Sequence, residues 1–352
     1  MHPQDVLAEI WSYSGLSHQA LGYAHLSGAD PVLPSSFAVG TAAQTSIAAA
    51  ALAACELGHI RGQDRQTVSV AMAHAALECV GWFSINGQVL DPWDNFSGLY
   101  ACADGWVRVH ANFAHHRDGA LALLGLSSST AQRDDAQRVL RDWKTLDFEA
   151  AAAERGLVVA ALRSFEQWDA HPQAQAVARQ PLLTLERIGD APALSLPSLR
   201  ADQRPLTGLR VLELTRIVAG PVAGRTLAAL GADVMLVNAP HLPNIGLIAE
   251  TSRGKLSCHL DLRLADQRRA MDHLVAQADV FMQGYRPGAL EALGYGARAL
   301  AEIRPGIVVV SLSAYGEHGP WANRRGFDSL VQSATGFNLA EAEAAGAALP
   351  KA

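Results

Sequence analysis

The sequence lacks several patterns that would assign it to a familiar class. Its four cysteines show no C-x-x-C spacing, so the usual zinc-ligand pattern is absent and reduced, mostly buried thiols are expected instead of a disulfide framework. No dense run of Lys and Arg occurs and the net charge is −6, which argues against nucleic acid as a partner. The most apolar run, Ile47–Cys55, is too short to span a bilayer. The N-terminus lacks a secretory signal pattern, so we expect a cytoplasmic protein with no membrane partner.

Two catalytic fingerprints are also missing. No G-x-G-x-x-G turn follows the first strand of the second half, which leaves a nucleotide-dependent oxidoreductase as the weakest hypothesis. No G-x-S-x-G elbow surrounds a serine, which argues against a serine hydrolase. The adjacent pair His115-His116 points in two directions on any regular element, so we expect small-domain surface and no metal site.

What is present is a chain of 352 residues, 49% of them hydrophobic, with room for about two domains. Residues 1–200 are rich in alanine and mostly helical in pattern, with a predicted helix at Val39–Leu57. Thr67–Val80 is predicted to begin as a strand and continue as a helix. Gly98–Cys102 and Trp106–Ala111 flank Asp104-Gly105, which predicts a β-hairpin.

From Leu206 onward, short apolar runs alternate with helical segments. This alternation is typical of βαβ units and predicts a Rossmann-like parallel sheet. The predicted strands are Arg210–Leu214, Val234–Val237, Val280–Gln283 and Ile307–Ser313, and the predicted helices are Val222–Leu230 and Leu264–Gln277.

The second half resembles the N-terminal half of the family III CoA transferases. The segments that carry the resemblance are "LTGLRVLELTRIVAGPVAGRTLAALGADVMLV", "SRGKLSCHLDL", "ADVFMQGYRPGALEALGYG" and "RPGIVVVSLSAYGEHGPWANRRGFDSLVQSATG". The first half is similar to the C-terminal half of the same family through "SIAAAALAACELGHIRGQDRQTVSVAMAHAALE", "GLYACADGWVRVHANFAHHRDGALALLGL" and "GLVVAALRSFEQWDAHPQAQAVARQPLL". The chain therefore resembles a C-half followed by an N-half, as in a tandem of two copies or a circular permutation.

This resemblance implies a fold and a domain division. The implied fold is the α/β fold of family III CoA transferases, with a large Rossmann-like domain and a smaller α/β domain. Residues 1–80 are expected to be a helical segment of the large domain, 81–175 the small domain, 176–205 a return segment and linker, and 206–352 the Rossmann-like half. The family forms interlocked homodimers, although here both halves could pack within one chain.

The resemblance also implies a reaction, in which an Asp carboxylate attacks an acyl-CoA and CoA passes to a carboxylic acid. No Asp stands at the matching places in this chain. The expected position after Gly326–Gly336 would fall beyond the last residue, and Thr41 is the closest match in the first half. Glu341 and Glu343 are expected to be solvated helix residues, and Asp328 a turn and helix-dipole feature. The catalytic residue therefore stays unassigned.

Several CoA-binding positions do match. The resemblance implies contacts to CoA from Val218, Ala219, Leu260, Gly284, Tyr285 and Arg325. Asn238, Ala239, Gly284 and Ala292 differ from the residues usual in the family. Arg253, Lys255 and Arg286 are nearby cations that could compensate.

We thus expect a CoA-transferase-like protein with acyl-CoA and a carboxylic acid as substrates and no permanently bound cofactor. The alternatives are a non-catalytic CoA-binding or assembly pseudoenzyme and an acyl-CoA racemase-like isomerase. The nucleotide sequence downstream of residue 352 would separate a truncated enzyme from a degenerate one.

Overall fold

A computed structural model describes residues 2–91 and 93–350, which divide into two compact units. The first unit contains the chain up to Leu90 together with Leu182–Gly284 and Glu291–Ser311. The second contains Asp91–Pro181, Tyr285–Leu290 and the described residues from Leu312 onward. Each unit thus combines segments from both halves of the sequence.

The described residues form strands, α-helices and two short 3-10 turns. The strands are β1 (Ala24–Ser27), β2 (Val68–Ala71), β3 (Ser84–Ile85), β4 (Gln88–Val89), β5 (Gly98–Ala101), β6 (Trp106–Val109), β7 (Val159–Ala161), β8 (Arg210–Leu214), β9 (Asp233–Asn238), β10 (Leu256–His259), β11 (Val280–Gln283) and β12 (Val308–Ser311). The helices are α1 (Pro3–Ser12), α2 (Val39–Ile60), α3 (Met72–Val80), α4 (Ala114–Leu123), α5 (Arg133–Leu140), α6 (Thr145–Glu154), α7 (Phe165–Asp169), α8 (Pro172–Val177), α9 (Ala219–Ala229), α10 (Ile248–Thr251), α11 (Ala265–Val275), α12 (Ala297–Ile303), α13 (Asp328–Ala334) and α14 (Phe337–Ala344). The 3-10 turns are His18–Tyr23 and Glu291–Leu293.

The first unit is built on a five-stranded parallel sheet with the order β10-β9-β8-β11-β12. The central strand β8 is buried at every position after Arg210, as expected for a parallel strand covered on both faces. The chain runs outward from β8 in both directions, so the strand order reverses between β8 and β11. In an open α/β sheet, such a reversal leaves a crevice at the carboxyl ends of the strands.

Helix α2, from the first half of the sequence, packs on this sheet. Ala54 shares a buried cluster with Val211, Val234 and Met282 of the sheet. The guanidinium of Arg61, at the end of α2, is buried and donates to the carbonyls of Pro197, Pro205 and Thr207 at 2.9–3.0 Å. A buried guanidinium needs such acceptors, so Arg61 fastens the connecting segment to the helix.

The second unit contains the three-stranded antiparallel sheet β5-β6-β7. Its core joins Tyr100 and Val107 of the sheet to Leu121, Leu140 and Phe148 of the surrounding helices. Helix α13 covers the other side through Leu330 and Ala334, which pack on Val158 and Ala160.

The structure confirms the parallel sheet, the hairpin around Asp104-Gly105 and the strand-to-helix change within 67–80. Strand β10 was not predicted, because its sequence "LSCH" contains two polar residues. In the structure this strand pairs with β9 at the border of the sheet. The expectation of mostly buried cysteines was wrong: Cys55, Cys102 and Cys258 are half-buried and Cys79 is exposed. Among the described residues, no helix is both long and apolar enough to cross a membrane.

Candidate functional site

The crevice at the carboxyl edge of the parallel sheet brings several of the predicted CoA-binding residues together. Val218 and Ala219 follow β8, and Gly284 follows the neighbouring strand β11 and donates its N–H to the carbonyl of Leu214 at 3.2 Å. Leu260 follows β10, where its N–H donates to the carbonyl of Asn238 at 2.9 Å. All four positions therefore lie at one edge, with Val218, Ala219 and Gly284 at the strand-order reversal and Leu260 toward the sheet's border.

The loop between β8 and α9 holds a strained residue. Ile217 has a φ of 76°, a left-handed conformation that a β-branched side chain rarely adopts. Such strain costs roughly 1–3 kcal/mol and persists only where the surroundings enforce it. Here it turns the chain so that Val218, 46% exposed, and Ala219 open helix α9 at the edge of the sheet.

An ion pair joins the segments on either side of this loop. Lys255 Nζ lies 2.7 Å from Glu213 Oε2, and neither side chain is exposed to solvent. Glu213 Oε1 accepts a hydrogen bond from the Thr215 hydroxyl at 2.6 Å. Lys255 Nζ also donates a hydrogen bond to the carbonyl of Pro221 at 2.7 Å. The pair therefore links the end of β8, the strained loop and the first turn of α9.

Two glycines let α9 approach this pair closely. A Cβ on Gly220 would collide with the side chain of Thr215, and one on Gly224 would overlap the carboxylate of Glu213 and lie 3.0 Å from Lys255 Nζ. These positions are one helical turn apart and share a face. Only glycine at both positions allows helix α9 to pack this closely against Thr215 and the ion pair.

Burial opposes charge on both partners. It raises the pKa of Glu213 and lowers the pKa of Lys255, and in each case the opposite partner counteracts the shift. Breaking a buried pair of this kind is strongly destabilising, because removing one member leaves the other buried without its counter-charge.

The proposed compensating cations have other partners. Lys255 is buried in its ion pair with Glu213, so its charge does not lie at the surface. Arg253 Nη2 lies 2.5 Å from Glu250 Oε1. Arg286 belongs to the second unit, where its Nη1 donates to the carbonyl of Asn323 at 3.2 Å.

The remaining two predicted CoA-binding residues lie in the second unit, since the chain changes unit between Gly284 and Tyr285. Arg325 is in contact with His116, with 3.2 Å between Nη1 and Nε2. Burial lowers the pKa of Arg325, and the charge of Arg286 adds to the effect. The expectation that His116 lies on the surface was wrong, because it is only 4% exposed and packs edge-on against Phe113.

Thr41, which the family resemblance matches to the place of the nucleophile, lies in the first turn of α2 and is buried. Its N–H and hydroxyl donate to Asp30 Oδ2 at 2.9 and 2.6 Å, and the N–H of Gly40 donates to Asp30 Oδ1 at 3.0 Å. The hydrogen bond from the Thr41 hydroxyl leads in lowering the pKa of Asp30. A carboxylate from ten residues earlier thus caps this helix.

The other carboxylates considered in the sequence are on helices. Glu341 is half-buried and Glu343 exposed, both on α14. Asp328 is exposed in the first turn of α13, where its Oδ2 accepts from Gln332 Nε2 at 2.7 Å.

The sequence analysis did not single out Asp30, Glu213 or Ile217. The four-residue spacing of Gly220 and Gly224, directly after a strand containing Glu213, was the one available signal of a close helix approach. Neither the partner of Glu213 nor the cap on Thr41 follows from spacing, since Lys255 and Asp30 come from separate segments.

The family model of CoA-transferase family III matches residues 5–199 and again 206–349. The chain belongs to this family. An acyl-CoA transferase from Gibberella moniliformis is 33% identical over 259 residues, covering 68% of this chain and 45% of the relative.

Human succinyl-CoA:glutarate CoA-transferase is 33% identical over 147 residues, 38% of this chain and 34% of the relative. A crystal structure of a CAIB/BAIF family protein from Brucella suis is 35% identical, covering 37% of this chain and 39% of that chain at a TM-score of 0.35. This chain spans less than half the length of the curated relatives it matches.

Proposed function

We propose that this chain supplies CoA binding in a CoA-transferase that moves CoA between an acyl-CoA and a carboxylic acid. The observation that carries the proposal is the strand-order reversal, where the strained Ile217 directs Val218 and Ala219 to the start of α9. Within the described residues, no side chain caps that helix start and no acidic residue lies in its first turn. The backbone N–H groups of Ala219 and Gly220, with the positive end of the helix dipole, suit a phosphate, although Pro221 contributes no N–H.

We also propose that the chain lacks a nucleophile at the place matched by Thr41. The side chain there is a hydroxyl already bonded to Asp30, and Asp30 itself accepts three hydrogen bonds as a cap. Both groups are engaged in holding α2. The engagement of both groups favours the hypothesis that this chain alone is a pseudoenzyme. We propose that it acts within a CoA-transferase that is cytoplasmic and homodimeric.

The first test places a carboxylate at the start of α9. Ala219 is exposed, so Ala219→Asp should fold normally, because an acidic residue in the first turn favours a helix. It should weaken CoA binding by about tenfold through repulsion of the phosphates, measured by calorimetric titration. Ala114→Asp, the same change at the first residue of α4, is the matched control. Equal CoA affinity in all three proteins, or no heat from the wild type, would refute the proposed site.

The second test addresses turnover. The purified chain should show no transfer of CoA between an acyl-CoA and a carboxylate, followed by chromatography of the CoA esters. Transfer that survives Glu341→Gln with Glu343→Gln would contradict the missing nucleophile. Loss of such transfer in Asp30→Asn alone would assign the nucleophile to Asp30.

A further inference from the structure

A cleft within the second unit carries chemistry that CoA transfer does not explain. Its volume is about 1010 Å³, which is at the upper end of the range for small-molecule sites, roughly 300–1,000 Å³. It lies between helix α6, the segment after β7, the α7–α8 junction and the loop Pro320–Arg324. Every one of these elements belongs to the second unit.

One wall of the cleft is charged and aromatic. Arg163 binds Glu149 through two hydrogen bonds of 3.0 and 2.5 Å, and both side chains are nearly fully buried. Arg324 lies against the face of Trp321, with its guanidinium carbon 4.1 Å from the ring centroid. The ring of His171 is 4.4 Å from the same indole. Arg324 and His171 are therefore neighbours around one tryptophan.

Arg324 and His171 can both offer hydrogen-bond donors to the cleft. Within the described residues, the polar contacts of the Arg324 side chain run through Nη2 alone, to the carbonyls of Glu149 and Val159 and to the Glu149 carboxylate. Among residues 2–91 and 93–350, neither Nε nor Nη1 of Arg324 has a hydrogen-bond partner. Nδ1 of His171 accepts from the N–H of Gln173 at 3.1 Å. Burial and then the charge of Arg163 lower the pKa of His171, so the neutral ring carries its proton on Nε2.

The remaining lining selects the class of anion. Glu149 satisfies Arg163, and Asp104 adds a second carboxylate that accepts from the N–H of Thr145. Two carboxylates against two guanidiniums limit the positive charge of the cleft, so repulsion grows with the charge of the ligand and a single carboxylate is favoured over a polyanion such as the phosphates of CoA. The rest of the lining is mostly apolar, with Ala150 and Ala153 on α6, and it also includes the uncharged polar side chains of Thr145, Gln167 and Asn323. A single carboxylate with an apolar body matches both features.

We propose that this cleft binds an apolar monocarboxylic acid, with its carboxylate on Arg324 and His171 and its chain along the alanine face of α6. The site is separate from the crevice of the parallel sheet and its occupation requires no CoA. Success or failure of CoA binding therefore leaves this inference unaffected.

The test is calorimetric titration of the full chain with octanoate at pH 7, with octanamide and inorganic phosphate as comparison ligands. Octanoate should bind saturably, octanamide about tenfold more weakly or not at all, and phosphate should not compete. Arg324→Gln should weaken octanoate binding by about tenfold or more. Arg141→Gln, a change at an exposed arginine of the same unit, should bind octanoate as the wild type does.

A second variant leaves every charge in place. Ala153→Phe fills the apolar end of the cleft and should abolish octanoate binding, with the circular dichroism spectrum unchanged. The inference is overturned if the wild type shows no saturable octanoate binding, or if folded Arg324→Gln or Ala153→Phe binds as well as the wild type. Phosphate competing as strongly as octanoate would equally overturn it, because the site would then select anions without regard to the apolar body.

Discussion

Two helices of the first unit begin where the family resemblance places function, and their N-termini differ. Helix α2 begins under the carboxylate of Asp30, which accepts from Gly40 and Thr41. Within the part of the chain that the structure describes, the N-cap residue Val218 gives helix α9 no side-chain cap, and no acidic residue lies in its first turn. One helix end is thus satisfied from within the chain, whereas the other is the end that we propose to bind an external anion.

The two ends are also positioned by different means. Asp30 holds α2 through hydrogen bonds near the surface, whereas α9 rests on the fully buried pair of Glu213 and Lys255. A buried ion pair is seldom a net source of stability compared with apolar packing. Its retention beneath α9 is consistent with a role in fixing the geometry of one loop.

The largest effect is expected from Lys255→Met. The change leaves Glu213 buried without its counter-charge and should lower the free energy of unfolding by about 3–5 kcal/mol, measured by urea denaturation. Lys144→Met, at an exposed lysine, should be nearly neutral. Adding Glu213→Gln should recover part of the loss. Strictly additive losses in the double variant would show that the two groups do not interact.

A smaller loss is expected from Gly224→Ala. The new methyl group would overlap the carboxylate of Glu213, so α9 must shift, at about 1–3 kcal/mol for an overpacked site. CoA affinity should fall with it, since Val218 and Ala219 move with the helix. Gly22→Ala is the control, because nothing lies within 4 Å of its added Cβ. A stable Gly224→Ala with unchanged CoA affinity would mean that the helix position is not what creates the site.

Much of the secondary structure of this unit could be predicted from sequence, because each strand is marked by the apolar residues of its own segment. Strands β8 and β11 are short apolar runs whose ends were predicted correctly as Arg210–Leu214 and Val280–Gln283. The contacts that fix the site were not predictable, because they join distant segments. Lys255 follows Glu213 by 42 positions in the numbering, and spacing alone does not distinguish a buried partner from a surface cation.

The cleft of the second unit shows the same limit. Arg324 and His171 lie far apart in the sequence, and they become neighbours around the ring of Trp321 only in the folded unit. Neither amino-acid composition nor motif spacing can predict such a tertiary contact. Likewise, Asp30 gave no sequence signal as a cap, because it lies ten residues before the helix turn that it satisfies.

A moderate effect is expected from Asp30→Asn at the other helix. Loss of the charged cap should cost about 0.5–2 kcal/mol. The pKa of Asp30 is lowered in the folded state, chiefly by the Thr41 hydroxyl. Its contribution is therefore present above the unfolded pKa of about 3.9 and is lost as the pH falls through the lower folded value. Urea denaturation from pH 6 to pH 2 should show the wild type and variant converging only at the acidic end. A constant difference across that range would mean that the carboxylate charge is not involved.

The smallest effect, and the one of opposite sign, is expected from Ile217→Gly. Glycine adopts a φ of 76° without the clash of a branched side chain, so relief of strain offsets the greater freedom of the unfolded chain. We expect a gain of about 1 kcal/mol or less in the free energy of unfolding, together with weaker CoA binding because the loop is no longer held in one conformation. Asn86→Gly is the matched control, since Asn86 also has positive φ, at 51°, but lies in the turn between β3 and β4 and tolerates it at lower cost. If Ile217→Gly gained stability and kept full CoA affinity, the strain at α9 would be incidental, and the contrast with the capped end of α2 would rest on charge alone.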